Sequence, residues 1–255
     1  MNKFDLNNRT AVITGGAQGF GLDIAKKFLN FGAKVIIWDI DEKALQSAVK
    51  EINNPKLSSN LVDISNFEIV NKTVIEISKV SNIDILVNNA GITGPIAELW
   101  NYSINDWNKV VEINLNGTFN VLRLAAFEMG KNEPEKDGEC GIIINTASVA
   151  AFDGQIGQAA YSASKGGVVA MTLPITRDLA RMGIRVNTIA PGIFDTPMMA
   201  MATDQVRLPL IEMTQFPKRL GLPDEYASLV KHIVENSFLN GETIRLDGAI
   251  RMQPK

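Results

Sequence analysis

The chain is 255 residues long, 45% apolar and 21% charged, with a formal net charge of −3, a balance ordinary for a soluble globular protein with a sizeable core. That charge gives no electrostatic reason to expect nucleic acid or a membrane as partner, and a single cysteine, Cys140, excludes an internal disulfide. No apolar run approaches the ~18–20 residues of a membrane span, no Cys/His cluster has metal-ligand spacing, so no metal is expected, and the lone His232 excludes any mechanism that needs a histidine pair.

In chain order, the polar start "MNKFDLNN" leaves no room for a targeting segment before a strand-like run at 10–14, and a cytoplasmic location is expected. Further short apolar runs occupy 33–39, 57–63, 83–89, 141–148, 184–191 and 242–248. Most lack in/out alternation, as strands buried on both faces do. Segments of helical period, such as "GLDIAKKFLNFGA" and "FEIVNKTVIEISKV", separate them. This alternation predicts βαβ units in one α/β domain, a doubly wound parallel sheet with helices on both faces. "KNEPEKDGECG" (131–141) is polar and turn-rich and reads as a surface loop.

The first run leads into "TGGAQGFG", whose Gly15, Gly19 and Gly21 punctuate a strand-to-helix turn. Glycines there let backbone approach a pyrophosphate, and the helix that follows offers N–H groups and a positive dipole end. Asp39 closes the second run, 18 residues past Gly21, between Trp38 and Ile40 with no cation beside it. A carboxylate so placed accepts ribose hydroxyls and repels a 2′-phosphate, which points to NAD. It also fits a plain strand end and helix cap. Asp63 closes the third run and would sit near the adenine; "NNAG", with Asn89, Ala90 and Gly91, closes the fourth on the same sheet edge.

"NTAS" delivers Ser148 to that edge, 13 residues before Tyr161 of "AAYSASKGG". Tyr161 precedes Lys165 by four residues, which makes them neighbours on a helix face. An ammonium beside a phenol favours the phenolate, bringing a proton donor of free pKa ~10 towards working pH. Hydroxyl, phenol and ammonium beside a nicotinamide suit hydride exchange with a secondary alcohol or ketone.

Taken together, "TGGAQGFG", "NNAG", "EINLNG", the serine ahead of Y-x-x-x-K and "APG" resemble the short-chain dehydrogenase/reductase family over essentially the whole chain. The resemblance implies a Rossmann-like sheet in a single domain, 1–255, with a nucleotide-binding part over 1–140 and a catalytic and substrate part over 141–255. It implies that Tyr161 is the acid/base, that Lys165 lowers its pKa and holds the nicotinamide ribose, and that Ser148 positions the carbonyl. Asn114 would support a proton relay, with Pro191 and Gly192 along the nicotinamide. Gln18, Phe20, Asp39, Asp63, Ile64, Asn89 and Phe194 would touch NAD, and Thr196 its carboxamide. A homotetramer is implied as well.

Longer stretches, "GIIINTASVAAFDGQIGQAAYSASKGG" and "FLNGETIRLDGAIRMQP", are similar to members of the family that oxidise 3-hydroxyacyl-CoA thioesters. An enzyme interconverting a 3-hydroxyacyl-CoA and a 3-oxoacyl-CoA with NAD is therefore expected. A dehydrogenase of another hydrophobic alcohol, such as a hydroxysteroid, and a non-catalytic nucleotide-binding scaffold are the alternatives. Residues 194–216 would cover the substrate; their Met198, Met199, Met201 and Met213 suit an apolar substrate or ordinary packing equally. Arg207, Lys218 and Arg219 are either partners for CoA phosphates or solvated surface charge.

Overall fold

A computed structural model describes residues 6–135, 137–200 and 203–254. Seven parallel strands, β1 (Thr10–Thr14), β2 (Lys34–Asp39), β3 (Leu57–Leu61), β4 (Ile85–Asn88), β5 (Gly141–Thr146), β6 (Ile184–Pro191) and β7 (Thr243–Leu246), form one sheet in the order β3-β2-β1-β4-β5-β6-β7. Crossing between them are α1 (Gly19–Asn30), α2 (Glu42–Ile52), α3 (Phe67–Ser78), α4 (Ile104–Val111), α5 (Thr118–Met129), α6 (Ala159–Leu179), α7 (Pro197–Ala200), α8 (Asp204–Met213) and α9 (Pro223–Glu235).

Successive strand residues point to opposite faces. In β5, Ile142 and Ile144 join Ile13, Val35 and Ile37 against Phe28 of α1, Leu45 of α2 and Val230 of α9. Ile143 instead joins Val12, Trp38 and Leu86 against Val74 of α3 and Leu122 of α5. Both faces are covered, so the runs read as continuous hydrophobicity. The edge strand β3 is largely exposed, and its "LSSNL" is correspondingly polar. Helix starts follow local chemistry: the side chains of Asp41, Asn66 and Ser103 accept N–H groups of the first turns of α2, α3 and α4.

The chain builds the sheet outward from β1 in one direction through β3, then returns to place β4 on its other side. The crevice beyond β1 and β4 is the topological switch point, where sheets of this kind bind ligands. Between α4 and α5 lies a π-helical turn, Glu112–Gly117, that carries Asn114.

The 131–141 segment is more than a surface loop. Its Glu139 is buried, accepting from Arg9 Nη2 at 2.8 Å and from Arg185 Nε at 2.6 Å. Arg185 also donates to the carbonyls of Ile233, Val234, Asn236 and Leu239, which ties the end of α9 to the sheet. Among the described residues no helix is long and apolar enough to cross a membrane.

Candidate active site

β1 delivers the chain to Gly15 (φ +61°) and Gly19 (φ +54°), a backbone region that favours glycine. A Cβ on Gly21 would lie 2.1 Å from the Gly15 carbonyl oxygen, so glycine alone lets α1 close on the turn. No side chain caps α1, and the side chain of its preceding residue, Gln18, is exposed. The first N–H groups of the helix are thus open to an anion. Thr14 Oγ1 accepts the N–H groups of Asn89 and Ala90 at 3.0 and 3.1 Å, and Asn89 Nδ2 donates to the Thr14 and Gly15 carbonyls, both at 3.1 Å. These bonds fix the two walls of the crevice.

Asp39, half-buried at the end of β2, accepts the Ala17 N–H on Oδ2 at 3.2 Å and the Asp41 N–H on Oδ1 at 3.1 Å. The carboxylate is held against the glycine turn with lone pairs to spare. Its neighbour Ile40 is 66% exposed and brings no positive charge. Asp63 accepts the N–H and hydroxyl of Ser65 on one oxygen, and Ile64 beside it is buried. Beyond β6, Phe194 is buried edge-on to Phe20 with ring centres 5.0 Å apart, and Gly192 passes so close to Asp247 that a Cβ would stand 2.8 Å from that residue's Cβ. Thr196 reaches the glycine turn: a Cβ on Gly19 would lie 3.9 Å from that of Thr196. Glycines that open the cradle, an uncapped helix and a fixed carboxylate fit a dinucleotide.

At the chemical end, Ser148 lies two residues past β5, buried, with its Oγ accepting the Ala150 N–H at 3.1 Å. Its hydroxyl stands near enough to the Tyr161 phenol to favour that group's ionised form. Lys165 is 4% exposed, and its Nζ donates to the Thr146 carbonyl at 2.7 Å. Asn114 is fully buried; Oδ1 accepts the Ile92 N–H at 2.8 Å, while Nδ2 donates to the Ile92 carbonyl at 2.8 Å and to Ser164 Oγ at 3.1 Å. Gly91 lies between the two: a Cβ there would be 3.0 Å from Asn114 Oδ1 and 3.3 Å from Lys165 Nζ. Ser148, Tyr161, Lys165 and Asn114 thus converge beside the cradle.

Two expectations need correction. Burial pushes the Tyr161 phenol up from its usual value, opposed by the Ser148 hydroxyl, whereas spacing alone had the lysine pulling it down. The ammonium, 6.0 Å from the centre of the Tyr161 ring, is turned to the Thr146 carbonyl, and its own burial brings it down to about 8. The basic side chains of the cover are likewise engaged. Arg219 grips both oxygens of Glu225 at 2.8 and 2.7 Å, Lys218 donates to the Glu212 carbonyl, and Arg207 stands 3.7 Å from Asp195. Of the cover methionines, Met201 and the side chain of Met198 lie outside the described residues.

Four contributors escape a reading of the sequence. Thr14 and Ser164 stand inside recognised motifs, yet nothing in the letters shows that one braces the crevice or that the other donates to the Tyr161 carbonyl. Thr146 and Tyr226 meet across the chain, Oγ1 to Oη at 2.7 Å.

A parallel sheet with a phosphate cradle, and a phenol and ammonium at the same edge, define a dinucleotide-dependent oxidoreductase. The chain belongs to the short chain dehydrogenase family, whose profile it matches over residues 9–207. It is 50% identical to the 3-hydroxyacyl-CoA dehydrogenase type-2 of Bos taurus, over 96% of this chain and 95% of that one. Among solved structures it is similar to 3-hydroxyacyl-CoA dehydrogenase type-2 from Mycobacterium avium, with a TM-score of 0.89 and 34% identity over 97% of this chain and 98% of the other. An NAD+-bound xylitol dehydrogenase superposes with a TM-score of 0.86 at 28% identity, over 96% and 99% of the two chains.

Proposed function

We propose that this enzyme interconverts 3-hydroxyacyl-CoA and 3-oxoacyl-CoA thioesters with NAD(H). The observation that carries the chemistry is the convergence of Ser148, Tyr161 and Lys165 beside the glycine cradle. Half-identity with the bovine enzyme over nearly the whole chain supports the substrate. When bound, the nicotinamide supplies or accepts the hydride. In the reductive direction Tyr161 gives its phenolic proton to the carbonyl oxygen, and in the oxidative direction the phenolate takes the hydroxyl proton. The Ser148 hydroxyl donates to the same oxygen and holds it in place. Lys165 is mostly protonated at neutral pH, and its role in this proposal is to hold the nicotinamide ribose beside Tyr161 when the cofactor is bound.

NADH-dependent reduction of acetoacetyl-CoA is the expected activity, with free acetoacetate poorer because the remote binding energy of CoA is missing. The check is kcat/KM for the thioester, the free acid and a steroid ketone. A steroid that outperforms the thioester would move the assignment to a hydroxysteroid dehydrogenase, and no turnover with any carbonyl would leave the scaffold reading. Arg207 is the cation freest to turn towards a CoA phosphate, since an exposed pair as long as its contact with Asp195 is worth little.

The cofactor is NAD(H) rather than NADP(H) in this proposal. Asp39 offers charge-assisted hydrogen bonds to ribose hydroxyls and a like-charge clash to a 2′-phosphate. Asp39→Ala with Ile40→Arg should shrink or reverse the preference measured as the kcat/KM ratio of NADH to NADPH. Equal values in the parent protein would refute the assignment.

The homotetramer belongs to the same proposal. Ile96, Leu99, Trp100 and Ile104 are each between 73% and 78% exposed along one short segment, an apolar surface that self-association would cover. Sedimentation velocity showing a monomer at micromolar concentration would remove it.

A further inference from the structure

We infer that Tyr226 is a positioning residue for Lys165, acting on it through Thr146 from the opposite face of the sheet. The inference rests on the role proposed for Lys165. Thr146, the last residue of β5, is tied to β6 through the Ala147 N–H, which donates to the Ile189 carbonyl at 2.8 Å, and makes two further contacts: its carbonyl receives the Lys165 ammonium at 2.7 Å, and its hydroxyl meets Tyr226 Oη at 2.7 Å. Tyr226 belongs to the core beneath α1 and α9, whereas Ile175 and Leu179 of α6 pack on the other face. Among the described residues no carboxylate pairs with Lys165, so the Thr146 carbonyl is what fixes its direction.

The Tyr226 ring has a separate task. It stacks on Phe20, with centres 4.2 Å apart and planes at 17°, and stands edge-on to Phe194 at 6.3 Å. A phenylalanine would serve that packing equally well. The hydroxyl is the part that reaches Thr146, and a buried hydroxyl keeps its partner because leaving it unpaired is costly. One residue of α9 therefore touches the helix of the phosphate cradle, the loop after β6 and, through Thr146, the ammonium.

The test is the reactivity of Lys165 towards acetic anhydride in the ligand-free protein, followed across pH by peptide mass spectrometry. Its midpoint should lie near 8 in the parent. Tyr226→Phe and Thr146→Val should each move it down by about half a pH unit, because a carbonyl less firmly presented stabilises the ammonium less. Each should also lower kcat by about fivefold, the worth of one hydrogen bond. The double variant should be no worse than either single one, since both break the same link. Thr146→Ser, which keeps the hydroxyl, should retain the parent midpoint. Midpoints that do not move in Tyr226→Phe and Thr146→Val, or losses that add in the double variant, would overturn the inference. Full turnover in Lys165→Met would instead overturn the role of Lys165, and the inference with it.

Discussion

Tyr161→Phe is expected to lower kcat by about 10²–10⁴-fold, the usual worth of a general acid–base group, while the affinity for NADH stays within a few fold. The substitution removes one oxygen and leaves the ring, so α6 and the cradle keep their shape. No other buried group beside Ser148 can replace the lost proton, because Lys165 is directed at the Thr146 carbonyl and Asn114 spends its amide on Ile92 and Ser164. The raised phenol pKa fixes the sign of the pH dependence. A phenol held above its usual value stays protonated at neutral pH and is ready to act as acid in reduction. Oxidation needs the phenolate, so its rate should climb from neutral to alkaline pH. A variant that keeps most of its turnover, measured with saturating NADH, removes Tyr161 from the chemistry.

Glu139→Ala should cost about 3–5 kcal/mol of folding stability, the range for breaking a buried ion pair by removing one partner. The substitution leaves the guanidinium groups of Arg9 and Arg185 facing each other without the anion between them, both side chains being under 10% exposed. Arg9 Nη1 already lacks a hydrogen-bond partner, and the acceptor left to Arg9 is the uncharged Asp84 carbonyl, 3.4 Å from Nη2. Glu139→Gln, which retains an acceptor oxygen but no charge, should fall between the parent and the alanine variant. Urea unfolding with a shared slope is the measurement, and a loss below about 1 kcal/mol would show that solvent reaches the cluster. The kcat of the folded fraction should not change, because Glu139 lies at the amino edge of the sheet and the chemistry at the carboxyl edge.

The sheet was legible because strands buried on both faces announce themselves. β1 and β6 coincide with their apolar runs. β5 ends at Thr146, earlier than its run, because the chain must leave the ladder for Ser148 to cap a short turn with Ala150. Strand-end residues such as Asp39 and Ser148 could be read because a strand followed by a helix fixes which edge they occupy. Glu139 could not: its partners stand 130 and 46 residues away, and a glutamate in a polar stretch looks solvated. The direction of Lys165 was equally hidden. Spacing of four residues gives adjacency to Tyr161, but only the end of β5 shows that a backbone carbonyl is there to receive the ammonium. Tyr226 looks like any core residue of an amphipathic helix, and its hydroxyl gains meaning only through Thr146.

The π-helical turn at Glu112–Gly117 has a consequence for how this chain can change length. An ordinary α-helix running from 104 to 129 would span the same turn with one residue fewer. It places Asn114 where both backbone groups of Ile92 meet its amide, and the Asn114 carbonyl accepts the Thr118 hydroxyl at 2.8 Å. Deleting a single residue from this stretch would restore regular winding and rotate one side of the helix against the other by about 100°. The register of α4 with α6 and that of α5 with β4 and β5 could not then both survive. Residue count along this helix is thus constrained as firmly as residue identity, and natural length variation should be confined to the loops on either side of it.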